Sequence, residues 1–305
     1  MDGIRSEPVR SHDHRAHASS AGSSQRVGFT ILELLAATAI VSTLLAVVLP
    51  AIGSAREAAH RLQCSSQLKQ VGLALHAYHD AFQCLPAGWQ WEATRNTAYG
   101  WASPLLPYLE RQETYSLIDR NVPIAAPANA AVRERRIPLF TCPSDLAGDQ
   151  FELFSALDDP APEVPGVYSN DLLVLLPSAN QVAVFGSMEP DDSYPAPAGD
   201  GAFIDSRPIR LVECLRGTSN ILFVGERTAA RLPSTWLGVD RHGEDAVCRL
   251  TGIADVAPNC SNCDECEFSS RHPGGVNFLF GDGRVELVAN AIDAPTYRRL
   301  ARRGD

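Results

Sequence analysis

The sequence predicts an α+β protein, with one long N-terminal helix and a head built on an antiparallel β-sheet. Three observations carry that prediction. Residues 29–52 are an apolar run, 18 of 24 being apolar. Residues 53–85 keep a helical period but interleave polar side chains. Residues 276–288 alternate around Asp282-Gly283, the pattern of a β-hairpin.

The apolar run sets the first boundary. As helix, its 24 residues would reach ~36 Å at ~1.5 Å each, against a bilayer core of ~30 Å. A secretory signal peptide has a shorter apolar core, about 7–15 residues, followed by small residues at the cleavage site. This run is longer and carries one charge, Glu33. An acidic group costs up to ~2.5–3.5 kcal/mol at the bilayer centre and less near an end, so Glu33 needs a partner. Basic residues do not orient the span, since Arg10, Arg15 and Arg26 precede it and Arg56, Arg61 and Lys69 follow it. Pro50 removes a helical hydrogen bond and is expected to kink the helix. Residues 1–28 are polar and rich in Ser, His and Arg, and are expected to be disordered.

Beyond Gly53 the helix turns amphipathic. Leu68, Val71, Leu75, Tyr78 and Phe82 recur at helical spacing and make one apolar stripe for a head to pack on. Pro86 and Gly88 end the helix. Residues 86–305 then form the head, with a short helix expected around Leu105–Leu117, strands at Leu172–Leu176 and Ile221–Val224, and Pro- and Asp-rich loops between Asp158 and Gly201. Trp89, Trp91, Tyr99 and Trp101 are expected in its core. In the hairpin, Val276, Phe278 and Phe280 share a face, with Val285 and Leu287 expected across from them.

The formal charge is −10, and four Arg against three acids in residues 1–28 leave −11 for the rest. No basic stripe suited to nucleic acid occurs. Arg298, Arg299, Arg302 and Arg303 read as a solvated helix face.

Two resemblances refine the picture. Gly28-Phe29-Thr30-Ile31-Leu32-Glu33 resembles the type IV prepilin signal of pilins and pseudopilins. That resemblance implies cleavage after Gly28 by a prepilin peptidase and N-methylation of Phe29. It also implies assembly with other pilin-like subunits through this helix, Glu33 taking the assembly role, and a leader left in the cytoplasm. The amine of a processed Phe29, four residues away, would compensate Glu33. A second resemblance is to the planctomycete-type pilin-like proteins sharing the domain of unknown function DUF1559. It rests on Arg61–Asp80, on Pro104–Glu110, on Phe140-Thr141-Cys142-Pro143-Ser144-Asp145, on Gly217-Thr218-Ser219-Asn220 with Ile221–Glu226, and on His272 followed after nine residues by Asp282-Gly283. Arg216 stands where that family usually has Asp. The resemblance implies a pilin-like architecture and no chemistry.

Eight cysteines in an exported head make disulfides the default, although eight allow 105 connectivities. Cys64, Cys84, Cys142, Cys214, Cys248, Cys260, Cys263 and Cys266 are all candidates. Cys64 and Cys84 are too far apart to pair if both lie on one helix, and Cys142 is a candidate partner for either. Cys260, Cys263 and Cys266 with Cys248 could bind zinc, but the oxidising compartment favours disulfides. His76, His79 and Asp80 could form a helical metal set, and Asp191, Asp192 and Asp200 a calcium site, though neither has a specific ligand pattern. His272 with Asp282 suggests a catalytic dyad, which the Asp-Gly turn explains without catalysis.

The expectation is therefore a single-pass inner-membrane protein with an extracytoplasmic head. It needs no cofactor, has no enzymatic activity, and acts in filament or secretion-apparatus assembly or in surface interaction. The rival is a membrane-tethered metal-binding module or enzyme using the Cys248–Cys266 region or His272.

Overall fold

The computed structural model describes residues 29–156, 171–191 and 195–304. Gly28, the leader, Asp158, Asp159 and Asp192 lie outside the described residues. The protein is α+β and divides into two compact units, Met1–Ile52 and Gly53–Asp305.

One helix contributes to both units: α1, Ile31–Phe82, is continuous through Pro50. Its start is a capping box. Thr30 Oγ1 accepts from the Glu33 amide at 3.2 Å while the Glu33 carboxylate accepts from the Thr30 amide at 2.9 Å, so two otherwise orphan donors are satisfied reciprocally. The Thr-x-x-Glu spacing that signals this box stands in the sequence, and it gives Glu33 a partner without any cleavage. The helix is the one element among the described residues long and apolar enough to cross a membrane. Its most apolar 18-residue window has mean hydropathy 2.3 and is wholly exposed, as a membrane span or signal sequence would be and a core helix would not.

Within the second unit, α1 buries Cys64, Gln67, Leu68, Val71, Gly72, Ala74 and Leu75. That is the expected stripe, displaced toward the N-terminus. Tyr78 is half-buried, and Phe82 is exposed, packing on Tyr78 at 4.5 Å between ring centroids.

The head follows in chain order as β1 (Trp89–Trp91), β2 (Thr97–Gly100), α2 (Gln112–Ser116), α3 (Ala130–Arg133), β3 (Gln150–Phe154), β4 (Leu172–Ala179), β5 (Gln181–Gly186), β6 (Leu222–Glu226), β7 (Ser234–Thr235), β8 (Gly238–Asp240), β9 (Thr251–Ile253), β10 (Gly275–Phe280), β11 (Val285–Ala289) and α4 (Ala294–Ala301). The helix expected over Leu105–Leu117 is instead a 3₁₀ turn, Ser103–Leu109, separated from α2 by Glu110 in left-handed conformation at φ 59°. Pro107 inside the segment removes the amide a continuous α-helix needs.

The central sheet has the order β11-β10-β6-β5-β9, and two three-stranded sheets, β1-β2-β8 and β3-β4-β7, flank it. Among the named strands every pairing is antiparallel, as expected, except β5 with β9, which makes the central sheet mixed at one edge. The central sheet is covered on both faces. Val182, Val184, Leu222, Val276, Phe278 and Phe280 pack with Tyr297 and Ala301 of α4, whereas Ala183, Phe185, Phe223 and Leu279 join the larger core that includes Leu68, Val71 and Leu75 of α1. Trp89, Tyr99 and Trp101 lie in that larger core as expected, and Trp91 is half-buried with its indole N–H on Asp205.

The hairpin exists, but its register differs from the expected one. Leu279 pairs with Val285 and Asn277 with Leu287, so Val285 and Leu287 lie on the face opposite to Val276, Phe278 and Phe280. The reason is the turn. Gly281, Asp282 and Gly283 form a three-residue loop with Gly283 left-handed at φ 87°, the arrangement of a type I turn with a glycine bulge, and a one-residue change in register flips every side chain. The arginine tail is exposed at Arg299 and Arg302, and three of its four members are also tied to the head. Arg298 pairs with Asp255, Arg302 with Asp200, and Arg303 donates to the Gly199 and Gly201 carbonyls.

Candidate functional site

The signature histidine is buried at the centre of a polar cluster drawn from four distant stretches. His272 is 2% exposed, with its Nδ1 2.6 Å from Glu57 Oε1 on α1. Its Nε2 lies 3.5 Å from Cys142 Sγ and 3.5 Å from Oε1 of Glu226, the last residue of β6. Cys64 Sγ, two helical turns beyond Glu57, lies 2.7 Å from Cys142 Sγ. Spacing of seven residues puts Glu57 and Cys64 on one helix face, the face that also buries Leu68 and Val71.

A further layer of contacts fixes these groups. Ser144 donates to Glu57 Oε2 at 2.8 Å, and the Cys142 amide donates to Asn180 Oδ1 at 2.8 Å. Asn180, buried at the corner between β4 and β5, donates to Asp145 Oδ2 at 2.6 Å, and Arg271 holds Asp145 Oδ1 at 3.0 Å. Glu226 accepts from both the amide and the side-chain nitrogen of Asn277, at 3.1 and 3.2 Å.

Electrostatics follow from this crowding. Burial alone would lower the pKa of His272, but its contacts with Cys142, Glu226 and Glu57 outweigh that and raise it to about 11. The hydrogen bond from Cys64 lowers Cys142 to about 6, burial opposing it and His272 assisting. The same bond, with burial, raises Cys64, which keeps the proton of the pair. For Glu57, burial raises the pKa, and the bonds from His272 and Ser144 bring it below the ordinary carboxylate value.

The other predicted groups are placed as follows. Cys248 pairs with Cys266 and Cys260 with Cys263, at Cα separations of 5.4 and 5.8 Å, so these four thiols form two disulfides. Two arginines hold that loop: Arg227 donates to the carbonyls of Cys248, Thr251 and Cys266, and Arg231 to those of Cys260, Cys263 and Asp264. Cys84 and Cys214 carry no disulfide. Asp282 caps its own turn by accepting from the Arg284 amide, whereas His272 turns to Glu57, so the two are not brought together as a dyad. Asp200 is engaged by Ser187 and Arg302, and Asp191 lies 3.1 Å from Cys248 Sγ. His76 faces the hairpin turn, its Nε2 3.7 Å from where a Cβ on Gly283 would stand.

Donor atoms suited to a metal gather at three places among the described residues: Cys64, Cys142, Glu226 and His272; Glu189, Asp191, Cys248 and Cys266; and Glu189, Asp264 and Glu265. The second set has its two sulfurs committed to a disulfide.

The family model described as a protein of unknown function, DUF1559, matches residues 53–295. The chain belongs to this DUF1559 family. No curated protein and no solved structure matches it. Of the blocks that carry the resemblance, four contribute a residue to the cluster: Cys64, Cys142, Glu226 and His272. The His-to-Asp-Gly spacing also acquires a structural meaning. His272 grips α1 at Glu57, while Gly283 lies 3.6 Å from where a Cβ on Gly72 would stand, four turns further along the same helix face. Sequence reasoning singled out neither Glu57 nor Glu226 as a site residue. Glu57 was legible as a member of the Cys64 face, and Glu226 as the end of the Ile221–Glu226 block that carries the resemblance.

Proposed function

We propose that this protein is a membrane-anchored, exported, pilin-like structural subunit without enzymatic activity. The observation that carries the reading is the wholly exposed apolar stretch of α1, which opens on Glu33 and runs on to supply a buried face to the head. Two disulfides in the head fit an oxidising compartment. In this reading a prepilin peptidase cleaves between Gly28 and Phe29, the helix anchors the chain in the inner membrane with the head outside, and neighbouring subunits associate through their helices.

Two substitutions at Glu33 separate assembly from capping. Gln preserves the acceptor of the capping box and removes the charge, whereas Ala removes both. If the carboxylate is needed to meet the amine of a processed Phe29, both variants keep cleavage and head folding but lose crosslinking between subunits in membranes. Mass spectrometry of the mature N-terminus and crosslinking decide it. An intact Met1 start, or wild-type crosslinking by the Gln variant, refutes the assembly role of Glu33.

A further inference from the structure

We infer that Cys64, Cys142, Glu226 and His272 form a closed, four-coordinate metal site, suited to zinc, that clasps α1 to the head. All four donor atoms lie within 4.8 Å of one another. Two thiolates, an imidazole and a carboxylate are a donor set that zinc accepts, and four protein ligands without an open position are the mark of a structural site. Around zinc, with bonds of about 2.0–2.3 Å, the edges of a tetrahedron of such ligands measure about 3.3–3.8 Å. The two edges from His272 Nε2, to Cys142 Sγ and to Glu226 Oε1, are both 3.5 Å. A charge-assisted hydrogen bond between Nε2 and the carboxylate would close to about 2.7–2.9 Å. These two edges have the spacing of ligands around a shared ion.

The surroundings agree. His272 is oriented by a carboxylate on its other nitrogen, Glu57 at 2.6 Å, so that Nε2 faces the cluster and becomes a ligand when a metal displaces its proton, the arrangement that steadies metal-binding histidines. Glu226 is held by Asn277 in turn. The alternative occupant is a disulfide between Cys64 and Cys142, whose sulfurs are 2.7 Å apart, short of the thiolate–thiolate edge by about 1 Å and beyond the ~2.05 Å of a bond. A disulfide would satisfy two of the four groups. It would leave Glu226, 3% exposed, with only Asn277 and a long 3.5 Å contact to His272 Nε2 to meet its carboxylate. A metal uses all four, and this reading does not depend on whether the protein assembles into filaments.

The test uses the full-length chain, purified in detergent without chelator or reductant. Elemental analysis should find about one zinc per chain, and replacement by Co²⁺ should give thiolate-to-cobalt charge-transfer absorption with tetrahedral ligand-field bands, a readout that needs no variant. Glu226→Gln and His272→Gln should lower the zinc content toward zero, whereas Cys260→Ser should leave it unchanged. Glu57→Gln, which alters the orienting contact and removes no ligand atom, should weaken zinc binding about 10–100-fold. A metal-free chain, with Cys64 and Cys142 recovered as one disulfide-linked peptide or as free thiols, overturns the inference. So does zinc retained at full occupancy by Glu226→Gln and His272→Gln together.

Discussion

Replacing Glu267 with Gln should remove a large part of the protein's loss of stability at rising pH. Glu267 follows the Cys248–Cys266 disulfide directly, is fully buried, and accepts from the amides of Asp255 and Val256 at 2.8 and 2.7 Å through one oxygen. Burial raises its pKa from 4.5 to about 7, those amide bonds opposing the rise. Because the folded value lies above the unfolded one, the native chain holds this proton across a window where the unfolded chain has released it. Stability therefore falls as pH rises from about 4.5 through about 7, and below that window the group makes no difference. At 1.36 kcal/mol for each tenfold change, the full effect is about 3 kcal/mol. Gln keeps the shape and the acceptor oxygen for Asp255 and Val256 but carries no charge to bury. Asp191 and Asp245, both raised to about 6 by burial, titrate nearby, but they are common to both proteins and cancel in the difference. Urea unfolding of the detergent-solubilised chain, followed by fluorescence of the buried Trp89, Trp101 and Trp236, should be measured at several values from pH 4.5 to 8. The variant should gain on wild type by about 3 kcal/mol across that range. A difference that stays constant with pH would refute the burial argument for this carboxylate.

Other consequences can be measured on the same protein. Gly283→Ala places a Cβ on a residue with φ 87° and should cost about 1–2 kcal/mol in urea unfolding, since the turn that sets the hairpin register requires the left-handed conformation. Arg227→Lys keeps the charge but loses the planar fork that reaches three carbonyls, so it should destabilise by about 2–4 kcal/mol; a loss under 0.5 would show those contacts to be dispensable. Alkylation of the native chain should modify half-buried Cys84 well before Cys214, which is buried and raised to about 11 by that burial, and should spare Cys248, Cys260, Cys263 and Cys266 until reductant is added.

The residues that sequence reasoning located are those whose role is fixed by their immediate neighbours along the chain. The apolar run to Ile52, the stripe through Leu68, Val71 and Leu75, and the alternation around Gly281–Gly283 are periodic signals, and periodicity states which face a residue occupies without reference to anything distant. Register escaped because it depends on one backbone angle, Gly283 at φ 87°, that composition does not specify. The cluster escaped for a different reason. Its members come from α1, the loop at Cys142, the end of β6 and the loop before β10, and they are adjacent only because β6 and β10 pair in the middle of a sheet that α1 covers. Glu226 illustrates the point: it ends an otherwise apolar strand, and a carboxylate there is costly unless something positive or donating meets it. The sequence shows the cost, and only the fold shows that Asn277 and His272 are there to meet it. The same holds for His272. Its nine-residue spacing from Asp282-Gly283 suggests chemistry between His272 and Asp282, whereas in the fold His272 reaches α1 at Glu57 and Gly283 lies beside Gly72 of the same helix. A motif defined along the chain is here a device for docking on another element. That is why His272, Cys142 and Cys64 are best tested together, as one clasp.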